Sequence, residues 1–230
     1  MSQAAVAPAS QIAPLVLFDL DGTLADSAID LAAAVNDVRA GLALAAVPVE
    51  QVRTAISAGA LAILTLGLPE LSEVERRAQV ESFLAHYIER IGHGGGLFDG
   101  IAELLTLIED AGSRWGVVTN KREDLARRVI DRLGLRERCA VLIGGDTLAR
   151  CKPDPLPVLT ACERVGVEPQ HSVFIGDDLR DVQAGRAAGC RTIAVSWGFH
   201  PADDDPARWG ADLVVDAPEA LLRAGALAPA

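Results

Sequence analysis

Lysine is almost missing from this chain: only Lys121 and Lys152 are lysines among 21 basic residues, and the rest are arginine. A pressure toward arginine explains the imbalance. The two lysines that persist are then candidates for places where a compact point charge is needed and a planar guanidinium does not fit, with chance survival as the alternative. Positive charge as a whole is also short. The net charge is -11 and the pI near 4.8, which argues against nucleic acid as a partner, because phosphate backbones demand a basic patch. A small phosphorylated ligand needs only local donors and stays open. No run approaches about eighteen apolar residues, so no membrane span is expected. The four cysteines, Cys139, Cys151, Cys162 and Cys190, have no close metal-ligand spacing. They read as reduced thiols of a cytoplasmic protein. His86, His93, His171 and His200 are scattered, none with a metal partner three or four residues away.

What the chain does have is apolar residues, half of 230, enough for a large core. Residues 1–13 are Ala-rich with Ser, Gln and Pro and lack the basic and apolar regions of a signal peptide, so a disordered tail is expected. Helical spacing runs over residues 28–44, 49–66 and 71–91, the last opening with Ser72 and Glu75 in capping-box spacing. The glycines of 92–96 read as a flexible break. Beyond it, short apolar strands at 115–119, 141–143, 172–176, 192–195 and 212–215 alternate with helices at 101–111, 123–133, 155–165 and 179–188. This pattern predicts an α/β fold with a doubly wound parallel sheet. Residues 14–27 and 97–226 form its Rossmann-like core, and 28–96 a small all-helical insert after the first strand.

In such a sheet, ligands bind at the carboxyl ends of the strands. The first strand, Leu15-Val16-Leu17-Phe18, runs into Asp19-Leu20-Asp21-Gly22-Thr23. Extended residues i and i+2 share a side, so Asp19 and Asp21 can face one small site. Two adjacent carboxylates call for positive charge, and a divalent cation supplies it. Asp-x-Asp-Gly also occurs in turns and calcium loops, but a calcium loop wants glutamate at its twelfth position, where Asp30 stands. Other strand ends carry Thr119-Asn120-Lys121 and Asp177-Asp178, and Lys152 lies in the loop after the third strand.

Acids, a hydroxyl, an amide and both lysines on one edge suit phosphoryl transfer. Asp19 is assigned as the nucleophile that forms an aspartyl-phosphate, and Asp21 as general acid and base. Thr119 and the backbone of Asn120 would hold the phosphoryl oxygens, with Gly22 and Thr23 beside them. Lys152 would neutralise the nucleophile and the phosphoryl group. Asp177 would ligate Mg²⁺ with Asp19, the backbone carbonyl of Asp21 and waters, and Asp178 and Asp181 would complete or orient that shell.

Asp19-x-Asp21-Gly22-Thr23, Val118-Thr119-Asn120, Lys152-Pro153 and Gly176-Asp177-Asp178-x-x-Asp181 resemble the four motifs of the haloacid dehalogenase superfamily, in their usual order. The resemblance covers residues 15–222 and is closest to the phosphoglycolate phosphatase group. The segments 115–121, 175–181 and 209–212 also resemble the related N-acetylmuramic acid 6-phosphate phosphatases. The helical insert is similar to the family's small cap domain, and Ser57-Ala58-Gly59-Ala60 to a cap loop of that branch. The resemblance implies a phosphatase acting on a small phosphorylated metabolite, with the cap closing over the site about a hinge at 92–96. Ser57 and Gly59, on the cap edge, would contact the leaving group, against an ordinary helix surface as the alternative.

Other chemistries are narrower. A dehalogenase would lack the second acid, which Asp21 supplies. A Schiff-base phosphonatase needs a cap lysine, and 28–97 has none. A phosphomutase shares Asp21 and stays open, as does a catalytically idle binding protein on this fold. The run Asp203-Asp204-Asp205 sits between prolines and is expected to face solvent. A monomer or homodimer is expected.

Overall fold

The computed structural model describes residues 12–201, 203–223 and 225–229. The expected tail therefore lies outside the described residues up to position 11. Its last two residues, Ile12 and Ala13, are buried, and Ala13 N–H donates to the Leu227 carbonyl at 2.8 Å.

Six parallel strands form one sheet in the order β5-β4-β1-β6-β7-β8. They are β1 (Leu15–Phe18), β4 (Arg114–Val118), β5 (Leu142–Ile143), β6 (Ser172–Gly176), β7 (Arg191–Val195) and β8 (Leu213–Val215). Strands β1 and β6 are buried along their whole length, as expected when helices cover both faces of a parallel sheet. Alternation divides their side chains between two cores. Val16 and Phe18 point into one cluster with Ile101 and Leu105 of α5 (Ile101–Asp110), and Leu15 and Leu17 into another with Val158 and Ala161 of α7 (Leu156–Val165). Helices α6 (Glu123–Arg132) and α8 (Leu179–Ala188) complete the layers. Strand β1 pairs with both β4 and β6, so the strand order reverses there and opens a crevice at the carboxyl ends.

Between β1 and α5 the chain forms α1 (Ala28–Gly41), α2 (Val49–Arg53), α3 (Ala60–Gly67) and α4 (Glu73–Arg90). The capping box at Ser72 and Glu75 is present. The single helix expected over 49–66 is broken instead. A 3₁₀ turn at Ile56–Ala58 separates α2 from α3, and Gly59 leaves it at φ +89°, a backbone region that favours glycine. Buried Arg39 ties the insert together, donating at 2.6 Å to the Gly67 carbonyl and pairing with Glu70 at 2.8 Å.

A two-stranded antiparallel ribbon, β2 (Ala25–Asp26) with β3 (Gly96–Leu97), joins the two connections to the insert. This ribbon is not among the expected strands, because neither of its two-residue strands lies in an apolar run. The glycines expected as a flexible break are held. Gly92, Gly94 and Gly95 donate their N–H groups to the buried Asp30 carboxylate at 2.7, 2.8 and 3.2 Å. A Cβ on Gly94 would stand 2.4 Å from Ile29, and one on Gly95 2.5 Å from the Asp26 carbonyl. Close approach to the backbone of β2 therefore requires glycine at Gly95.

Candidate active site

The crevice at the end of β1 gathers the residues that four distant segments supply. Asp19 and Asp21 follow β1, Thr119 to Lys121 follow β4, and Asp177, Asp178 and Asp181 follow β6. Lys152 reaches in from the loop before α7. Asp19, Asp177 and Asp181 are buried and offer three carboxylate oxygens within 4.8 Å of one another.

The Lys152 ammonium sits against this cluster. Nζ donates to the Val118 carbonyl at 2.8 Å and lies 2.9 Å from Asp19 Oδ1 and 2.6 Å from Asp181 Oδ1. These two approaches are ion pairs off the hydrogen-bond direction, so Asp19 Oδ1 and Asp181 Oδ1 are buried without an aligned donor. Burial alone would lower the affinity of Lys152 for its proton, but Asp181 and Asp19 outweigh it and hold the group charged. Its main chain is fixed by the Asn120 amide, which accepts from Lys152 N–H and donates to the Lys152 carbonyl, both at 3.0 Å.

Asp177 is gripped on all sides. Thr23 Oγ1 donates to it at 2.8 Å, Phe199 N–H at 2.9 Å and Ser57 Oγ at 3.3 Å. A Cβ on Gly22, where φ is +90°, would stand 2.2 Å from Asp177 Oδ2, and one on Gly198 2.1 Å from Asp177 Cβ. Burial, then the neighbouring Asp19, pushes the Asp177 carboxyl up to about 7. Crowded buried carboxylates with oxygens lacking aligned donors fit a divalent cation.

Asp178 stands apart from that cluster. Its carboxylate caps α8 through Arg180 N–H at 2.8 Å and pairs with the Arg180 guanidinium at 2.7 Å. Asp181, expected only to complete or orient the metal shell, is the third converging acid. The Asn120 side chain faces Lys152, Thr23 faces Asp177, and the buried Thr119 hydroxyl accepts from Lys121 N–H at 3.2 Å. Asp21 turns its carboxylate to Ser27 Oγ at 2.7 Å and to Lys121 Nζ at 2.9 Å. Lys121 is the site residue that sequence reasoning left undecided. Its signal was the scarcity of lysine and its place beside Thr119-Asn120. Phe199 carried no signal, because a hydrogen bond from a remote loop leaves no pattern in sequence, and the contact of Ser27 with Asp21 follows from the fold of the turn between them rather than from any motif spacing. Asp203 to Asp205 are exposed, and Asp204 accepts from Trp209 Nε1 at 2.6 Å.

A cavity of about 460 Å³ opens over Asp19, Asp21, Thr119 and Asn120. Ser57 and Gly59 line its insert side, and Ile63, Phe83 and Leu84 make its wall apolar. A separate groove of about 280 Å³ runs past Arg127, Arg136 and Arg164 and holds none of these acids.

Residues 16–195 match the family described as haloacid dehalogenase-like hydrolase. A phosphoglycolate phosphatase of Xylella fastidiosa is 47% identical over 208 residues, 90% of this chain and 91% of that protein. An N-acetylmuramic acid 6-phosphate phosphatase of Pseudomonas aeruginosa is 44% identical over 213 residues, 90% of this chain and 92% of its own length. Among solved structures, a predicted phosphoglycolate phosphatase from Haemophilus somnus superposes with a TM-score of 0.81 at 27% identity, over 91% of this chain and 96% of that one. With the family matched over most of its length, and with relatives this similar along nearly all of it, the chain belongs to the haloacid dehalogenase-like hydrolases, a family of enzymes.

Proposed function

We propose that this protein is a Mg²⁺-dependent phosphatase that hydrolyses a small phosphate monoester through an aspartyl-phosphate on Asp19. The observation that carries the reading is Lys152, buried between Asp19 and Asp181 beside Asp177, with a second acid, Asp21, two residues beyond the nucleophile. An Asp19 oxygen attacks phosphorus and the ester P–O bond breaks, while Asp21 gives its proton to the departing alkoxide. Asp21 then takes a proton from water, whose oxygen attacks phosphorus as the Asp19–phosphorus bond breaks. Inorganic phosphate leaves, and Asp21 is again protonated. Lys152 offsets the negative charge that Asp19 and the phosphoryl oxygens share. Asp19 and Asp177, with the Asp21 backbone carbonyl, would hold the ion, which when bound neutralises charge on the phosphoryl group.

The relatives' names suggest two substrates, 2-phosphoglycolate and N-acetylmuramic acid 6-phosphate. A cavity of about 460 Å³ with Ile63, Phe83 and Leu84 in its wall exceeds what a two-carbon acid fills, and supports the sugar phosphate. The compartment proposed is the cytoplasm, in keeping with four unpaired cysteines.

The test is phosphate release from both esters with Mg²⁺ present, by wild type and Asp19→Asn. The expected result is faster release from the sugar phosphate and a loss of at least about 10³-fold in a folded Asp19→Asn. Equal activity in the two proteins would remove the mechanism. Preference for 2-phosphoglycolate would keep the mechanism and reverse the substrate.

A further inference from the structure

Lys121 joins three segments that are far apart in sequence. Its ammonium lies 2.9 Å from both oxygens of Asp21, which follows β1, and donates at 2.7 Å to Tyr87 Oη on α4. It also stands 4.5 Å from the centre of the Tyr87 ring. The Tyr87 side chain is fully buried, and the Lys121 side chain is only 9% exposed. Burial pushes the Tyr87 phenol up to about 12, so Oη meets the ammonium as a neutral acceptor. The second hold on Asp21 is Ser27 Oγ, at 2.7 Å on Oδ1.

A lysine side chain with a single partner samples several rotamers, and the terminal torsion of a carboxylate is broad. A second acceptor on the ammonium restricts both. That acceptor belongs to the helical insert, whereas Asp21 and Lys121 stand in core loops that follow β1 and β4.

We propose that Tyr87 is a positioning residue: by anchoring the Lys121 ammonium it sets the orientation of the Asp21 carboxylate, so that the proton-transferring group is aligned only while α4 is seated. The proposal rests on the phosphatase reading. It makes the acid–base half of the site dependent on the insert, while Asp19 and Lys152 are held by core residues and Asp177 chiefly by Thr23 and Phe199. Misplacement of a reacting group by about 1 Å costs up to about 10²-fold in rate, so loss of one anchor can be read in kinetics.

The test is Tyr87→Phe, which removes Oη and keeps the ring and its packing. The readout is kcat/KM, which reports the steps through ester cleavage. Two esters are compared. One is N-acetylmuramic acid 6-phosphate or 2-phosphoglycolate, whichever the wild type cleaves faster. The other is p-nitrophenyl phosphate. The alkoxide of the first needs a proton to leave, and p-nitrophenolate does not. The expected result is a fall of about tenfold on the alkyl ester and a fall at least about fivefold smaller on the aryl ester. In a Lys121→Met background, Tyr87→Phe should cause no further fall, because the two act in series. Equal losses on both esters would mean that Tyr87 only supports the fold and would overturn the proposal, as would no loss or additive losses. Those failures leave wild-type turnover intact. A wild type that cleaves neither ester would remove the phosphatase reading and this proposal together.

Discussion

Lys152 Nζ and Asp181 Oδ1 lie 2.6 Å apart, and each side chain is 2% exposed. Asp181 thus has its counter-charge inside the protein, and the lysine serves structure as well as chemistry. Lys152→Met should leave Asp19 and Asp181 buried without a cation. Removing one partner of a buried pair costs about 3–5 kcal/mol. Urea denaturation should show a loss of that size together with loss of phosphate release. A variant as stable as wild type would contradict the central place given to this ammonium.

Metal binding should be visible without turnover. A ligand that binds only the folded state stabilises it by about 2.7 kcal/mol at a hundred times its dissociation constant. Mg²⁺ should therefore raise the melting temperature of the EDTA-treated protein, and Asp177→Asn should abolish the increase. An increase of the same size in both proteins would place the ion elsewhere.

Asp30 accepts three backbone N–H groups from the glycine segment that leads back to the sheet. Asp30→Ala removes the charged acceptor of those donors and leaves them to water, since Gly92 and Gly94 are exposed. A hydrogen bond to a charged group contributes about 1.5–3 kcal/mol at most. Amide hydrogen exchange should speed up at Gly92, Gly94 and Gly95, with a lower melting temperature. Unchanged exchange there would show that the glycines are held by packing alone.

Asp37 and Arg90 join α1 to α4 at 2.6 Å. The Arg90 hydrogen bond holds the Asp37 carboxyl below its ordinary 3.8. A depressed carboxyl contributes stability that is complete above its unfolded value and is lost as pH falls through the lower folded value. The stability gap between wild type and Asp37→Asn should therefore shrink between about pH 5 and pH 2. A gap independent of pH over that range would mean the pair adds nothing through ionisation.

Much of this protein was legible before any coordinates. Buried β-branched and aromatic strands such as β1 and β6 carry their own signal, since every side chain faces a helix layer. The order of strands and helices followed from that signal. Asp19, Asp21, Lys152 and Asp177 stand next to such strands or in the loops beyond them. The capping pair Ser72 and Glu75 was readable because its chemistry is local, three residues apart. Contacts between remote segments were not readable. Asp178 and Asp181 look alike in sequence. Only the turn of α8 sends Asp181 inward to Lys152 and leaves Asp178 to cap the helix and pair with Arg180. Gly59 breaks a helix that periodicity would continue, because its positive φ is set by the turn rather than by any apolar pattern. Tyr87 and Lys121 meet because α4, packed on α1, brings Tyr87 to the loop that follows β4. Local propensity and hydrophobic spacing thus determined which elements form and which residues stand at strand ends. The packing of those elements decided which acids converge, which are neutralised, and how the insert reaches the site, because those distances depend on groups far apart in the chain, 154 residues in the case of Thr23 and Asp177.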